Sequence, residues 1–142
     1  MILFNFNFEI LIGKKFNFGI IGFGLSGKYF HYQLLRYHPG YKVSMISTSK
    51  EAEVQALDSS IYVTNDPFEL IKSTELDLII NTAPNVYHYP LTKAALEHNK
   101  HCLCEKPFME NSQQAKEVFA LAKEKGLYCS AYQNRRYDSD FL

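Results

Sequence analysis

The amino-acid sequence predicts an α/β protein with a doubly wound parallel sheet, and three observations support this fold class. Six short apolar segments are separated by segments of helical periodicity, as in proteins built from strand–helix–strand units. The fourth apolar segment, residues 76–81, is nearly continuous, which is typical of a strand buried on both faces. Glycines follow the first apolar segment with the spacing G-x-G-x-x-G. Together these features favour the strand order 3-2-1-4-5-6.

The boundaries of the elements follow from apolar runs and from residues that start or stop helices. Strands are predicted at residues 16–21, 43–46, 61–63, 76–81, 102–104 and 127–132. Helices are predicted at residues 25–38, 51–57, 68–72, 89–99 and 113–125. Asp66 before Pro67 and Ser112 before the last helix are interpreted as N-caps. Pro39 and Gly126 are expected to end the helices that precede them.

Bulk composition describes an ordinary globular chain and argues against several classes of partner. The length of 142 residues suggests one domain, and 15 basic residues balance 15 acidic ones, which does not favour a nucleic-acid-binding surface. No apolar run reaches the roughly 18 residues of a membrane span. Three cysteines are too few for a disulfide framework and predict a reducing, cytoplasmic location.

Residues 1–15 are expected to be an extension ahead of the domain formed by residues 16–142. Phenylalanine alternates with asparagine at Phe4, Phe6 and Phe8, a period that also fits a short strand. A secretory signal is disfavoured because the lysines follow the apolar part and no small-residue cleavage site is present. We favour a weakly ordered extension.

The glycine segment after the first strand predicts a Rossmann-type dinucleotide-binding loop. Its residues are Gly22, Phe23, Gly24, Leu25, Ser26 and Gly27. Gly22 permits a tight turn, Gly24 leaves room for a pyrophosphate, and Gly27 allows helix and strand to pack closely. The following helix N-terminus offers free N–H groups to phosphates. A purely structural glycine turn is the alternative, but the strand–loop–helix context favours binding.

The tip of the second strand predicts a preference for NADP over NAD. An NAD enzyme usually places an acid there for the ribose 2′-hydroxyl, whereas this chain has Ser47, Thr48, Ser49 and Lys50. Hydroxyls and a lysine would accept a 2′-phosphate. Alternatively, Lys50 is only a solvated residue at a helix start, and the nearby acids Glu51 and Glu53 weaken the NADP interpretation.

Two further segments follow strands four and five, at the sheet edge where ligands bind in this fold. Thr82, Ala83, Pro84 and Asn85 are expected to border the nicotinamide ribose, to cap the next helix, or to do both. Lys106, in the segment Glu105–Lys106–Pro107, is expected to orient a substrate hydroxyl and stabilise developing alkoxide charge. A cis bond before the proline would fix the direction of this lysine. A surface lysine beside a turn proline is the alternative.

Taken together, GIIGFGLSG, TAPNVYH, KHCLCEKP and QNRRYDSDFL resemble the Gfo/Idh/MocA (glucose–fructose oxidoreductase / inositol dehydrogenase) family. The likeness covers residues 16–142 and is greatest to NADP-dependent scyllo-inositol 2-dehydrogenase-like members. It implies that Lys106 is the active-site lysine and that Glu105 packs beside the cofactor site. It also implies that Thr82, Pro84, Asn85 and His88 line that site.

The chain departs from the family pattern in sequence and in length. Gln133 replaces a histidine and Tyr137 a tryptophan, while Asn134 and Arg135 are retained, and Arg135 is expected near the nicotinamide or substrate. The family carries a second α/β domain that supplies substrate contacts and a catalytic Asp/His pair, and it often forms a homo-oligomer through that domain. This chain is therefore expected to bind the cofactor with little turnover on a sugar or polyol. A stand-alone dinucleotide-binding or sensor module, and a domain without nucleotide binding, are the alternatives.

One cluster has the residue types of a metal site but not its spacing. His98, His101, Cys102 and Cys104 include two common ligand types, yet Cys102 and Cys104 share one strand face while His101 points the other way. Zinc sites usually use C-x-x-C or longer spacings. We expect buried core cysteines and no metal.

Overall fold

A six-stranded parallel sheet forms the centre of the computed structural model, which describes residues 15–139. The strand order is β3-β2-β1-β4-β5-β6, and every neighbouring pair is parallel. The strands are β1 (Phe16–Ile21), β2 (Tyr41–Ser47), β3 (Tyr62–Thr64), β4 (Leu78–Asn81), β5 (His101–Cys104) and β6 (Cys129–Ala131). The predicted fold class and strand order are confirmed. The predicted extension, residues 1–15, lies outside the described residues except for Lys15.

The connecting helices confirm the predicted alternation and correct two details. They are α1 (a π-helical Ser26–Tyr32 continued by an α-helical Gln33–Leu35), α2 (Glu51–Leu57), α3 (Pro67–Lys72), α4 (His88–Glu97) and α5 (Ser112–Glu124). Short 3-10 turns lie at Asn85–Tyr87 and Asn134–Tyr137.

The two corrections concern helix ends. The first helix was expected to be a regular α-helix to residue 38, but it starts in π-helical form and ends at Leu35. The N-cap of α5 is Asn111 and not Ser112, because the extended Asn111 accepts a hydrogen bond from Gln114 N at 3.0 Å. Asp66 is the N-cap of α3, as predicted, and accepts from Phe68 N at 2.8 Å.

Two apolar clusters fill the space between the sheet and its helices. One contains the wholly buried Ile79 and Leu96, and the other contains Ile20, Ile46 and Val54. Burial of this kind contributes about 25 cal/mol per Å² of apolar surface, so the sheet is a firm platform for the loops at its edge. Within residues 15–139, no helix combines the length and the hydropathy that crossing a bilayer would demand.

The carboxyl ends of five strands lie level with one another. The strand pairing places Ile21 beside Ser47 and Asn81, Asn81 beside Cys104, and Cys104 beside Ala131. Each segment that the sequence singled out begins at one of these residues or within two residues after it. The fold therefore brings the glycine loop, the β2 tip, the Thr82 and Lys106 segments and the final turn to one sheet edge.

Candidate functional site

The glycine loop is shaped by close backbone contacts on one side and open space on the other. Gly22 has a φ of +92°, which L-residues with side chains rarely adopt. A Cβ on Gly27 would lie 2.2 Å from the carbonyl oxygen of Gly22, so only glycine fits at this crossing. A Cβ on Gly24 would meet nothing within 4 Å. The loop thus leaves a free approach to its backbone at Gly24.

The side chains of the loop residues Phe23 and Leu25 lie in opposite environments. Phe23 is buried at 2% exposure and packs edge-to-face on Tyr32, with ring centroids 5.8 Å apart. Leu25 is exposed. Phe23 therefore anchors the loop to the core, while its carbonyl accepts a hydrogen bond from the ammonium of Lys50 at 3.2 Å.

A cluster of two lysines and one acid, drawn from α1 and the start of α2, lies next to the tip of β2. Glu53 pairs with Lys28 at 2.6 Å and with Lys50 at 3.7 Å. The hydrogen bond from Lys28 lowers the pKa of Glu53, so this carboxylate is charged at neutral pH. Of the predicted hydroxyls, Ser47 is buried and Thr48 accepts from Lys50 N at 3.2 Å. Lys28, which follows the glycine loop in α1, was not predicted from the sequence.

The segment after β4 is tied to the glycine loop. The hydroxyl of Thr82 donates towards the carbonyls of Ile21 and Gly22, at 2.8 and 3.0 Å. The wholly buried Asn81 accepts from Ala83 N at 3.2 Å and so fixes the first turn of the segment. The next two predicted residues, Pro84 and Asn85, are exposed. Thr82 thus supports the Gly22 turn, while Pro84 and Asn85 face outward.

His88 joins the segments that follow β4 and β5. Its ring is 1% exposed, with Nε2 2.8 Å from the carbonyl oxygen of Ala83 and Nδ1 2.7 Å from that of Pro107. The histidine therefore connects two loops of the site from within the core. The peptide bond between Lys106 and Pro107 is cis.

The segment after β5 holds a buried acid next to an exposed base. Glu105 is 7% exposed and accepts hydrogen bonds from the hydroxyl of Ser26, from Nε2 of His31 at 2.9 Å and from Lys106 N at 3.1 Å. Burial alone would raise the pKa of Glu105, but these donors together lower it. Lys106 itself is exposed, so its ammonium is accessible at the sheet edge.

The last predicted residues lie in the turn after β6. Asn134 is half-buried at the start of the Asn134–Tyr137 turn, and Arg135 is exposed. The Nε of Arg135 pairs with Asp138 at 2.8 Å. In this structure the arginine forms an ion pair within its own turn.

Comparison with known proteins identifies the family. The model of the Gfo/Idh/MocA oxidoreductase family, described as an NAD-binding Rossmann fold, matches residues 16–133. The chain belongs to this family. The resemblance that the sequence motifs suggested is confirmed, and residues 16–133 form the nicotinamide-dinucleotide-binding Rossmann domain of this family.

Several oxidoreductases are similar to this Gfo/Idh/MocA chain. It is 44% identical over 124 residues to the uncharacterized oxidoreductase YdgJ of Escherichia coli, covering 87% of this chain and 36% of YdgJ. It is 37% identical to scyllo-inositol 2-dehydrogenase (NADP(+)) IolW of Bacillus subtilis, covering 87% of this chain and 35% of IolW. The structure of the oxidoreductase yvaA of Bacillus subtilis superposes with a TM-score of 0.88 at 36% identity, over 91% of this chain and 38% of that one. The chain thus spans about a third of the length of these relatives.

Four residues that hold the candidate site together were not predicted from the sequence: Lys28, His31, Glu53 and Asn81. Lys28 and His31 lie one and four residues after Gly27, the last loop glycine. Their positions on a helix that starts at Gly27 are the sequence signal that could have identified them. The sequence identifies Glu53 only as an acid near the tip of the second strand. Asn81 ends an apolar strand, where its polar side chain was a signal of a buried role.

The four residues of the cysteine–histidine cluster do not share one environment, since His98 is exposed, His101 is half-buried and the two cysteines lie in the core. Cys102 and Cys104 are completely buried, and burial raises the pKa of the Cys104 thiol to about 12. A thiol of this kind is a poor metal ligand and nucleophile. In the part of the chain that the structure describes, no group of three His, Cys, Asp or Glu side chains is arranged to hold a metal ion.

We expect this Gfo/Idh/MocA domain to lose stability as the pH falls below about 6.5, partly because of His31. Burial lowers the pKa of His31 from its ordinary 6.5, against the opposing effect of Glu105. In this range the unfolded chain binds a proton that the folded chain does not, so the free energy of unfolding decreases. Urea unfolding between pH 7.5 and 5.5 should show a weaker pH dependence in His31→Gln. An unchanged dependence would contradict this role of His31.

Proposed function

We propose that this Gfo/Idh/MocA chain binds NADP and presents Lys106 to a sugar or polyol whose secondary alcohol undergoes hydride transfer. The main support is that the space next to Gly24 is open and lies at the same edge of the sheet as Lys106. The name of the relative IolW, an NADP(+)-dependent scyllo-inositol 2-dehydrogenase, supports the cofactor and the polyol substrate class.

The residues at the glycine loop fit a dinucleotide. The unfilled space next to Gly24 lets a pyrophosphate reach the loop backbone, where a side chain would block it. Exposed backbone N–H groups at the start of α1 would then bind the phosphate oxygens. When bound, the dinucleotide supplies a nicotinamide that exchanges a hydride with the alcohol carbon.

Lys106 is the residue that we propose to act on the substrate oxygen. Its side chain is exposed, whereas the neighbouring Glu105 is buried and fully hydrogen-bonded. An ammonium at this position would donate a hydrogen bond to the substrate hydroxyl and stabilise the negative charge that develops on its oxygen. Pro84, Asn85 and Asn134 are proposed to border the same space.

Recognition of the 2′-phosphate is assigned to Lys28 and Lys50. Both ammonium groups lie around Glu53 beside the glycine loop, as expected for a site that neutralises a phosphate. Glu53 competes for these lysines and repels a phosphate, so it limits the preference for NADP. The same carboxylate suits the ribose 2′-hydroxyl of NAD.

Replacing Glu53 with glutamine is expected to strengthen NADPH binding by about two- to fivefold, the range expected from loss of exposed ion pairs. NADH binding should weaken or stay the same, because its 2′-hydroxyl loses an acceptor. Titrations that follow the fluorescence of the reduced nicotinamide would measure both affinities. Glu51→Gln is the matched control, since this exposed acid lies on the same helix. Tighter binding of NADH than NADPH by the unaltered chain would refute the proposed cofactor preference.

The surroundings of the protein are also proposed from its surface and its thiols. All three cysteines are free, which fits the reducing cytoplasm. Leu25, just before α1, and Tyr29 and Leu34 within it are exposed. Apolar exposure of this kind favours association into a homo-oligomer.

A further inference from the structure

Glu105 connects two parts of the site that are not neighbours in the sheet. It follows β5, while the glycine loop follows β1, and β4 lies between these strands. One carboxylate oxygen, Oε1, nevertheless accepts from the Ser26 hydroxyl and from His31 Nε2, both on α1. The other oxygen, Oε2, accepts from the backbone N–H of Lys106.

This connection is costly to break because the carboxylate is buried. Glu105 is 7% exposed and His31 is 4% exposed, so water cannot replace a lost donor easily. Hydrogen bonds to a charged group are stronger than those between neutral groups. The three donors therefore hold the start of α1 and the backbone of Lys106 in a fixed relation.

The ring of Tyr132 packs against the ring of His31. Their ring centroids lie 4.3 Å apart, and burial raises the pKa of the Tyr132 hydroxyl, with Glu105 adding to the effect. His31 thus faces one carboxylate, from the segment after β5, and one neutral phenol, from the segment after β6. Glu105 is hydrogen-bonded both to His31 and to the backbone N–H of Lys106.

We propose that Glu105, held by Ser26 and His31, is a positioning residue that couples phosphate binding at the glycine loop to the placement of Lys106. This inference rests on the proposed function, because it requires a dinucleotide at the loop. A phosphate at the start of α1 shifts Ser26, the shift changes the hydrogen bonds at Oε1, and Oε2 transmits the change to Lys106.

Backbone amide NMR of the full chain with ADP tests the coupling. ADP carries the pyrophosphate but no nicotinamide, so a response at Lys106 has to travel through the protein. We expect ADP to shift the amide signals of Gly24, Gly27 and Lys106 in the unaltered chain. In Glu105→Ala, saturating ADP should still shift the glycine signals, while the Lys106 shift falls to less than half.

The possible results separate this inference from the proposed function. The coupling alone would be overturned by either of two results. In the first, ADP shifts the glycine amide signals of the unaltered chain but not the Lys106 signal. In the second, ADP shifts the Lys106 signal equally in the unaltered chain and in Glu105→Ala. Glycine signals that ignore ADP in the unaltered chain would refute dinucleotide binding itself, and the inference with it.

A second measurement needs neither ligand nor a folded Glu105 variant. When the pH of the unaltered chain is varied without ADP, the amide signals of Ser26 and Lys106 should change with the same midpoint as the ring signals of His31. In His31→Gln, whose side-chain amide retains a donor for Glu105, this shared titration should disappear. Titration of Ser26 without Lys106 would contradict the coupling.

Discussion

Substitution of Gly27 with alanine is expected to destabilise the fold, whereas the same substitution at Gly24 is expected to remove cofactor binding and leave the fold intact. A Cβ added at Gly27 would lie 2.2 Å from Gly22 O and 2.9 Å from Thr82 Oγ1. The first neighbour is backbone and cannot rotate away, so the loop and α1 have to separate. Overpacking of this kind costs about 1–3 kcal/mol, and sometimes more.

Gly24 provides the contrast because its Cβ direction is open. Nothing lies within 4 Å of a Cβ at this position, so Gly24→Ala should change the free energy of unfolding by less than about 1 kcal/mol. The added methyl group would occupy the space that the pyrophosphate needs. We therefore expect NADPH affinity to fall by more than tenfold.

Urea unfolding followed by circular dichroism, together with NADPH titration, would measure both variants. Gly27→Ala should lower the free energy of unfolding, whereas Gly24→Ala should lower the affinity for NADPH and leave the stability nearly unchanged. The two assays together therefore separate a folding effect from a binding effect. Equal losses of stability in Gly24→Ala and Gly27→Ala would contradict the packing argument. Full NADPH affinity in Gly24→Ala would contradict the assignment of the phosphate approach.

The fold was predictable because each of its signals is local. A continuous apolar run such as residues 76–81 indicates a strand buried on two faces, and the alternation of strands and helices determines the topology once crossovers are right-handed. The glycine spacing and Lys106 were recognisable for the same reason, since each motif directly follows a strand. The N-cap of α5 was misplaced by one residue because Asn111 and Ser112 are both good caps, and only the backbone conformation decides between them.

The polar contacts that hold the site together could not be predicted, because they join residues distant in sequence. Ser26 and Glu105 are 79 residues apart, and Lys28 and Glu53 are 25 apart. Sequence periodicity and spacing predict which face of a helix or strand a residue occupies. They do not predict which distant residue its side chain contacts. His88 illustrates the limit, since the family resemblance implied a residue that lines the site, while its side chain is buried between two loops.

Asn81 organises the segment after β4 from a position with no solvent exposure. Its side-chain nitrogen donates to the carbonyl of His88 at 3.2 Å and to the hydroxyl of Thr92 at 3.3 Å, and its oxygen accepts from Ala83 N at 3.2 Å. His88 and Thr92 are themselves buried, so these groups have no ready access to water. One amide therefore satisfies three groups around the turn.

Replacing Asn81 with leucine is expected to lower the free energy of unfolding by about 2–4 kcal/mol, since each buried polar group left without a partner costs about 1–3 kcal/mol. Leucine has a similar size, so the loss would come from the hydrogen bonds and not from a cavity. Asn85→Ala is the matched control, because Asn85 is exposed in the same segment and should unfold like the unaltered chain. Urea denaturation of the three proteins would measure the difference. A leucine variant as stable as the control would show that the turn keeps its conformation without the buried amide.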